Sequence, residues 1–207
     1  MASLFEQTLE KIVENDQLHA KLLNTLSLME NVGARKISKY EHPVHVSLTV
    51  LKHAAEESRH AFYLKKQIGK LGEGLCPDYA FEYLIAPIQS YQYLHQLDVQ
   101  TCRYLYNKGL KGRAMQDAAY ILVTYAIEVR ADSLYDIYQS ILTKSGSKVN
   151  VKSIILEEAG HLEEMTRLLK DFDPDWEPIA NDICRLEASL HALWIEGLAQ
   201  SLQSADQ

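Results

Sequence analysis

The stretch ESRH at residues 57–60 and the stretch EAGH at residues 158–161 carry the same pattern, a glutamate followed three residues later by a histidine. Each lies in a segment whose apolar residues recur with a helical period. On a helix, residues three positions apart share one face about one turn apart, so the two side chains of each stretch can bind one ion. A carboxylate and an imidazole suit Fe, Mn or Zn. One such stretch alone is a weak indication of a metal site. The prediction therefore depends on which residues lie opposite it.

The pattern around these stretches is helical nearly throughout. Six helical segments are predicted, at about residues 3–38, 43–71, 87–108, 113–144, 150–171 and 176–203. Pro43 suits the first turn of the second segment, and glycine or proline residues lie between most of the others. No segment has strong strand character. The sequence therefore predicts an all-α fold, in a single domain over residues 1–207.

Hairpin geometry identifies a partner for the first stretch. In an antiparallel pair of helices, residues equidistant from the turn lie at the same height. With the turn at Pro43, the residue opposite Glu57 is residue 29, and Glu30 is next to it. Glu30 follows an apolar stripe of leucines, which directs it towards the core side. We therefore predict that Glu30 faces Glu57 and His60.

The second half of the chain is less regular. A turn at residues 146–148 places residues 134–138 opposite Glu158, and no glutamate occurs there. Glu128 is the only glutamate of its segment, and it lies about two helical turns away from the residues expected opposite Glu158. An asymmetric loop or a late helix start would account for this difference. Its helix face is mainly apolar and aromatic, where a carboxylate is costly unless it is paired or bound to metal.

The two halves thus repeat one order: a glutamate, a turn, and then Glu-x-x-His. One glutamate from each of two helices and Glu-x-x-His from each of two others are the ligands that a carboxylate-bridged pair of ions needs. The same side chains are the candidate catalytic residues. The candidate metal ligands are Glu30, Glu57, His60, Glu128, Glu158 and His161.

This set resembles the ligand set of the ferritin-like di-iron carboxylate superfamily, which includes rubrerythrins, bacterial multicomponent monooxygenases, aldehyde-deformylating oxygenases and the radical subunit of ribonucleotide reductase. The stretch EESRH at residues 56–60 is similar to the acidic-Glu-x-Arg-His form found in the oxygenase branches. The resemblance covers residues 3–71 and 113–171 and points to no single subfamily. It implies a ferritin-like four-helix bundle, with the third segment as a crossover helix and an additional C-terminal helix.

The resemblance also implies a function. We expect an oxidoreductase that binds two iron ions, or manganese or a mixed pair at the same ligands, and that activates O2 or peroxide. It implies a small organic substrate and a homodimer. A separate electron donor is expected, because the chain has no Cys-x-x-Cys pair for a rubredoxin module. The alternatives are an iron-handling or peroxide-scavenging protein, and a metal-free helical scaffold in which the converging acids and histidines would be costly.

Composition limits the partners. Asp and Glu number 28 against 21 Lys and Arg, for a net charge of −7, and an acidic chain argues against non-specific nucleic-acid binding. No apolar stretch approaches the roughly 20 residues of a membrane span. The N-terminal stretch has acids where a signal peptide needs cations. We expect a cytoplasmic protein without nucleic-acid or membrane partners.

Three polar residues are candidates for supporting roles. Asp132, one turn beyond Glu128, is predicted to orient a ligand histidine, to be solvated or to act as a replacement ligand. Arg59 is predicted to pair with Asp132 or Glu56, or to form a surface ion pair. Tyr125 is predicted either to donate to a ligand or, as the more common case, to pack in the core.

Further candidates come from the neighbours of the ligands along the chain. His53 lies one turn before Glu57 and is a candidate neighbour of the site. Gly33 and Gly160 occupy helical positions where glycine costs about 1 kcal/mol relative to alanine, and we hypothesise that they leave room beside the metals. Apart from Glu158, the acid-rich run over residues 157–164 is predicted to be mainly a solvated face.

Overall fold

The computed structural model describes residues 2–42 and 44–205, and over these residues the protein is helical and contains no strand. Three residues, Phe81–Tyr83, form a short 3-10 turn. The α-helices, numbered in chain order, are α1 (Leu4–Val13), α2 (Asp16–Tyr40), α3 (Leu48–Ile68), α4 (Pro87–Asn107), α5 (Gly112–Lys144), α6 (Lys152–Phe172) and α7 (Trp176–Ala205). The all-α prediction is confirmed.

Two predicted helix boundaries are wrong. Residues 3–38 form two helices, because the Asn15 side chain accepts hydrogen bonds from the backbone N–H groups of Gln17 and Leu18 and so begins α2. Helix α3 begins at Leu48 rather than at 43, with the Ser47 side chain as its N-cap. The predicted first-turn position, Pro43, lies outside the described residues.

The helices pack as two antiparallel pairs with further helices against them. Helix α2 packs along α3, α5 packs along α6, and α4 packs against both α5 and α7. Helix α1 contacts α2, α5 and α7. Fully buried side chains join the two pairs into one core, and among them are Leu22, Leu23, Leu64, Leu142 and Ile154. Burying a leucine contributes about 1.5–3 kcal/mol, so this core holds the pairs at a defined spacing.

A buried hydrogen bond sets the register of α2 against α3. The Ser27 hydroxyl donates to the carbonyl oxygen of Ala61 at 2.7 Å. Glu30 lies three residues beyond Ser27, and Glu57 lies four residues before Ala61. The two glutamates therefore lie at the same height, as the hairpin count predicts.

The register of α5 against α6 differs from the count, because the loop between them is asymmetric. The backbone N–H of Val151 donates to Oε1 of Gln139 at 2.8 Å, so the returning chain meets α5 five residues before its end at Lys144. From this contact, ten residues along α6 lead to His161 and eleven residues back along α5 lead to Glu128. The loop thus brings Glu128 level with His161.

A buried polar contact ties α2 to α5. His19 Nε2 lies 2.6 Å from the hydroxyl oxygen of Tyr138, and both side chains are fully buried. Burial lowers the pKa of His19 to about 4. The imidazole is therefore neutral at physiological pH, and acid conditions oppose its burial.

We expect the free energy of unfolding to fall as the pH drops from about 6.5 towards 4, because the unfolded chain takes up a proton that folded His19 resists. At a pH of about 4.5 this loss is about 2.5 kcal/mol relative to neutral pH. In His19→Gln the difference in unfolding free energy between the two pH values should shrink by that amount. The exposed control His95→Gln should keep the wild-type difference, and an unchanged pH dependence in His19→Gln would contradict the assignment.

Across residues 2–42 and 44–205, no helix is both long enough and apolar enough to cross a membrane.

Candidate metal centre

The six predicted ligands come together between α2, α3, α5 and α6. They form two groups whose ligand atoms all lie within 4.8 Å of one another, and Glu57 belongs to both groups. The first group is Glu30, Glu57, His60 and Glu158. The second group is Glu57, Glu128 and His161.

Glu158 lies between the two histidines. Its Oε1 is 3.1 Å from Nδ1 of His60, and its Oε2 is 3.5 Å from Nδ1 of His161. Glu30 and Glu128, unlike Glu57 and Glu158, each lie beside one histidine only. Glu30 Oε2 is 3.7 Å from Nδ1 of His60, and Glu128 Oε2 is 3.4 Å from Nδ1 of His161. The arrangement offers two adjacent positions, each with one imidazole and one carboxylate of its own, and shared carboxylates between them.

Buried atoms at the centre lack hydrogen-bond partners. They are Nδ1 of His60, Nδ1 of His161 and Oε2 of Glu158. The carboxylate oxygens around both nitrogens are close, but none is aligned as a hydrogen-bond acceptor. An unpartnered buried nitrogen costs about 1–3 kcal/mol, which a metal ion bound to its lone pair would offset. The nitrogen and carboxylate donors fit Fe, Mn or Zn.

The electrostatics of the cluster favour a positive charge at its centre. Burial raises the pKa of Glu57 well above its ordinary value, and the charges of Glu30, Glu128 and Glu158 raise it further. Burial by itself lowers the pKa of His60, but the nearby carboxylates of Glu158 and Glu30 outweigh it and raise the pKa to about 10. Without metal, protons must supply the charge that cations would otherwise supply.

Two further glutamates orient the histidines across the site. The Nε2–H of His161 donates to Glu56 at 2.7 Å, and the Nε2–H of His60 donates to Glu157 at 2.8 Å. Each glutamate directly precedes the Glu-x-x-His stretch of the opposite helix. These bonds place the proton on Nε2 and leave Nδ1 as the ligand atom. The prediction that Glu157 belongs to a solvated face is wrong.

Arg59 and a third histidine, His53, lie beside the acidic residues around the site. Arg59 pairs with Glu157 and lies 3.6 Å from Glu56, so its predicted pairing with Glu56 is confirmed. His53 Nε2 lies 2.7 Å from Glu164, and the His53 ring is 4.8 Å from that of His161 between centroids. His53 is therefore a neighbour of the site, as predicted, whereas the solvated-face prediction for Glu164 is wrong.

The residues of α5 that line the interior cavity with Glu128 include Val123, Ile127 and Ala131. Asp132 is exposed, so the prediction that it orients a ligand histidine is wrong and its solvated alternative holds. Tyr125 packs edge-on against Trp176 of α7, with ring centroids 5.5 Å apart. Its packing role is confirmed and its donor role is not supported.

Tyr135, rather than Tyr125, is the tyrosine that donates a hydrogen bond to a candidate ligand. Its hydroxyl donates to Oε1 of Glu30. The side chain is buried, and burial together with the Glu30 charge raises its pKa well above the ordinary value, which keeps the phenol protonated. Its position seven residues beyond Glu128, on the same helical face, is the sequence signal that could have identified it.

The two glycines differ. A Cβ atom on Gly33 would lie 3.3 Å from Oε2 of Glu57, so the close approach of α2 to this carboxylate favours glycine. A Cβ atom on Gly160 would meet nothing within 4 Å. The close approach expected of these glycines is therefore found at Gly33, whereas no neighbouring atom requires glycine at Gly160 and room beside the metals there stays a prediction.

A cavity of about 380 Å³ adjoins the acidic cluster. Its walls come from α2, α4, α5 and α7, and they are mainly apolar. The cluster contributes Glu30, Glu57 and Glu128 to the lining. The volume lies within the roughly 300–1,000 Å³ typical of small-molecule sites.

Comparison of the chain with protein-family models, curated proteins and solved structures finds no match. The ligand geometry is therefore the observation on which a functional proposal depends.

Neutralising the glutamates that hold the histidines is expected to weaken metal binding. Glu157→Gln and Glu56→Gln should each lower metal affinity by about ten- to a hundredfold, because the carboxylate orients the imidazole and raises its basicity. Competition with a chelator of known affinity measures this. Glu163→Gln, on an exposed position of α6, is the matched control and should bind as wild type. Equal affinity in all variants would contradict the orienting role.

Proposed function

We propose that this protein is a di-iron oxidoreductase that activates O2 or peroxide and acts on a small organic substrate. One observation carries the proposal: four glutamates and two histidines from four helices surround two adjacent positions, and two of the glutamates are shared. A metal-free scaffold would bury this set without the cations that offset its cost.

The proposal includes a ferritin-like fold. In this assignment α2, α3, α5 and α6 are the four bundle helices, α4 is the crossover helix that joins the two hairpins, and α7 is the additional C-terminal helix. The pairing of α2 with α3 and of α5 with α6 supports it. So does the origin of the ligands, because each of the four helices contributes at least one.

Two iron ions fit the donor set, and manganese or a mixed pair would use the same ligands. When bound, such ions supply the electrons and open coordination positions with which O2 or peroxide is reduced. Glu57 and Glu158 would be shared between the ions, Glu30 and His60 would hold one ion, and Glu128 and His161 would hold the other.

Residues around the ligands control protons and orientation. Glu56 and Glu157 keep the proton of each histidine on Nε2, so that both Nδ1 atoms face the centre. Tyr135 holds a phenolic proton at Glu30. Arg59 balances the charge of the outer glutamates. These contacts let the inner carboxylates change position without losing the histidine geometry.

The cavity favours an organic substrate over iron storage. Its lining beside Glu30, Glu57 and Glu128 is mainly apolar, which suits an organic molecule better than a succession of iron ions. A separate electron donor is part of the proposal, because the described cysteines, Cys76, Cys102 and Cys184, are all free and lie on separate elements. A homodimer is likewise proposed from the resemblance.

Metal content tests the proposal. Protein from iron-supplemented cells should contain about two irons per chain, and its optical spectrum should change when O2 is admitted to the reduced form. Many irons per chain would instead indicate storage. Wild-type protein that binds no metal after anaerobic reconstitution with Fe(II) would overturn the proposal.

A further inference from the structure

The cavity beside the acids is long and closed at one end. Its α5 wall runs from Gln116 to Tyr135, about 28 Å along the helix at about 1.5 Å per residue. Buried residues form the end near Tyr135, and they include Tyr93 and Trp194. Gln116 is exposed at the opposite end, which is the mouth. A ligand that fills this space is elongated.

The carboxylate cluster lies along the side of the cavity. Glu128 is on the α5 wall between the mouth and the closed end, and Glu57 lies beside Gly33 of α2. Because an alanine at Gly33 would approach the Glu57 carboxylate to 3.3 Å, the glycine keeps this part of the wall close to the acid. The middle of a bound molecule, rather than one of its ends, therefore lies against the carboxylate cluster.

The cavity offers no free positive charge. Among the described lining residues, the two cations are Lys36 and Arg130. Lys36 pairs with Asp98, and Arg130 makes two hydrogen bonds to Glu187, at 2.9 and 2.8 Å. The same walls carry the carboxyl groups of Glu30, Glu57 and Glu128, which add no positive charge. Away from the carboxylate cluster, an anionic ligand group would therefore lose its hydration without gaining a partner, which is costly.

Near the mouth, the cavity wall contains a buried polar atom that has no hydrogen-bond partner in the protein. The hydroxyl of Tyr120 is buried and unpartnered, while its ring stacks on Tyr40 with centroids 4.0 Å apart. Both tyrosines line the cavity. A buried unpaired hydroxyl is destabilising, so a ligand with an oxygen at this position would recover the lost hydrogen bond.

We propose that this cavity binds an uncharged, elongated and mainly apolar organic molecule, with its middle against Glu57 and a hydroxyl or carbonyl oxygen near Tyr120. The inference rests on the proposed function, since it identifies the substrate class of the same site. A neutral alcohol, aldehyde or ketone with a long apolar body is complementary to the lining of the cavity. A carboxylate or phosphate of the same length does not.

Calorimetric titration with decanol and decanoate tests the charge requirement on protein whose metal content is measured in the same sample. Decanol should bind at least tenfold more tightly than decanoate, because burial of the unpaired carboxylate opposes binding. Equal or tighter binding of decanoate, or failure of decanol to bind, overturns the inference. Absence of metal from a protein that binds decanol overturns the proposed function alone.

Matched substitutions on α5 test the location. Val123→Phe places a ring in the cavity and should lower decanol affinity at least tenfold, whereas Val129→Phe, outside the lining on the same helix, should leave it unchanged. Ala119→Leu is a smaller blocking change and serves if Val123→Phe disturbs folding. Tyr120→Phe should lower decanol affinity by about fivefold. Wild-type affinity in all three cavity variants overturns the inference.

Discussion

Replacing Glu158 with alanine is expected to remove both metal ions, reducing the content from about two ions per chain to nearly none. Glu158 is the carboxylate that meets both histidines, with its oxygens 3.1 Å from Nδ1 of His60 and 3.5 Å from Nδ1 of His161. Its loss takes a ligand from both positions at once and removes negative charge that offsets the two cations. Metal analysis after anaerobic loading with Fe(II) measures the effect.

The matched control is Glu163→Ala, an exposed position five residues further along α6, and it should bind about two ions. Glu57→Gln separates loss of metal from loss of fold. Burial raises the pKa of Glu57 and the surrounding like charges raise it further, so its neutral replacement should abolish metal binding without lowering the stability of the metal-free protein. Wild-type metal content in Glu158→Ala would exclude the shared-carboxylate geometry.

Metal loading is expected to raise the free energy of unfolding by about 5 kcal/mol when free metal is about a hundredfold above the dissociation constant. Each site then contributes about 2.7 kcal/mol, because the ions bind the assembled ligands and not the unfolded chain. Ligands from four helices meet at the two positions, so unfolding of either hairpin dismantles both. Chemical denaturation with and without Mn(II) measures the gain without O2 chemistry.

Glu57→Ala supplies the control for this gain, because Glu57 belongs to both ligand groups. Its unfolding free energy should not respond to Mn(II). The same increase in Glu57→Ala as in wild type would show that the ions bind elsewhere. No increase in a wild-type protein that holds two ions would show that the site does not link the helices.

Local spacing determined much of what the sequence predicted. Helical periodicity identified the segments, and the Glu-x-x-His spacing placed Glu57 beside His60 and Glu158 beside His161, since three residues make nearly one turn. Glu30 also followed from counting, because the hairpin of α2 and α3 is nearly symmetric about its turn. The break before α2 was missed although its capping residue, Asn15, is present in the sequence.

Tertiary structure decided the contacts that span helices. Glu128 reaches His161 because Val151 returns against Gln139, and the register of that asymmetric loop is not encoded in spacing. The crossed bonds of Glu56 and Glu157 depend on the distance and rotation between α3 and α6.

The cavity depends in the same way on how five helices pack. Its lining combines Glu57 of α3 with residues from α2, α4, α5 and α7, including Tyr93 and Trp194, which are about one hundred positions apart. Helical spacing specifies which residues of one helix share a face. The rotation of each helix, and so the faces that meet, is set by side-chain packing and loop length across the whole chain. For this reason the sequence by itself determined the set of candidate ligands, and the tertiary structure decided what surrounds them.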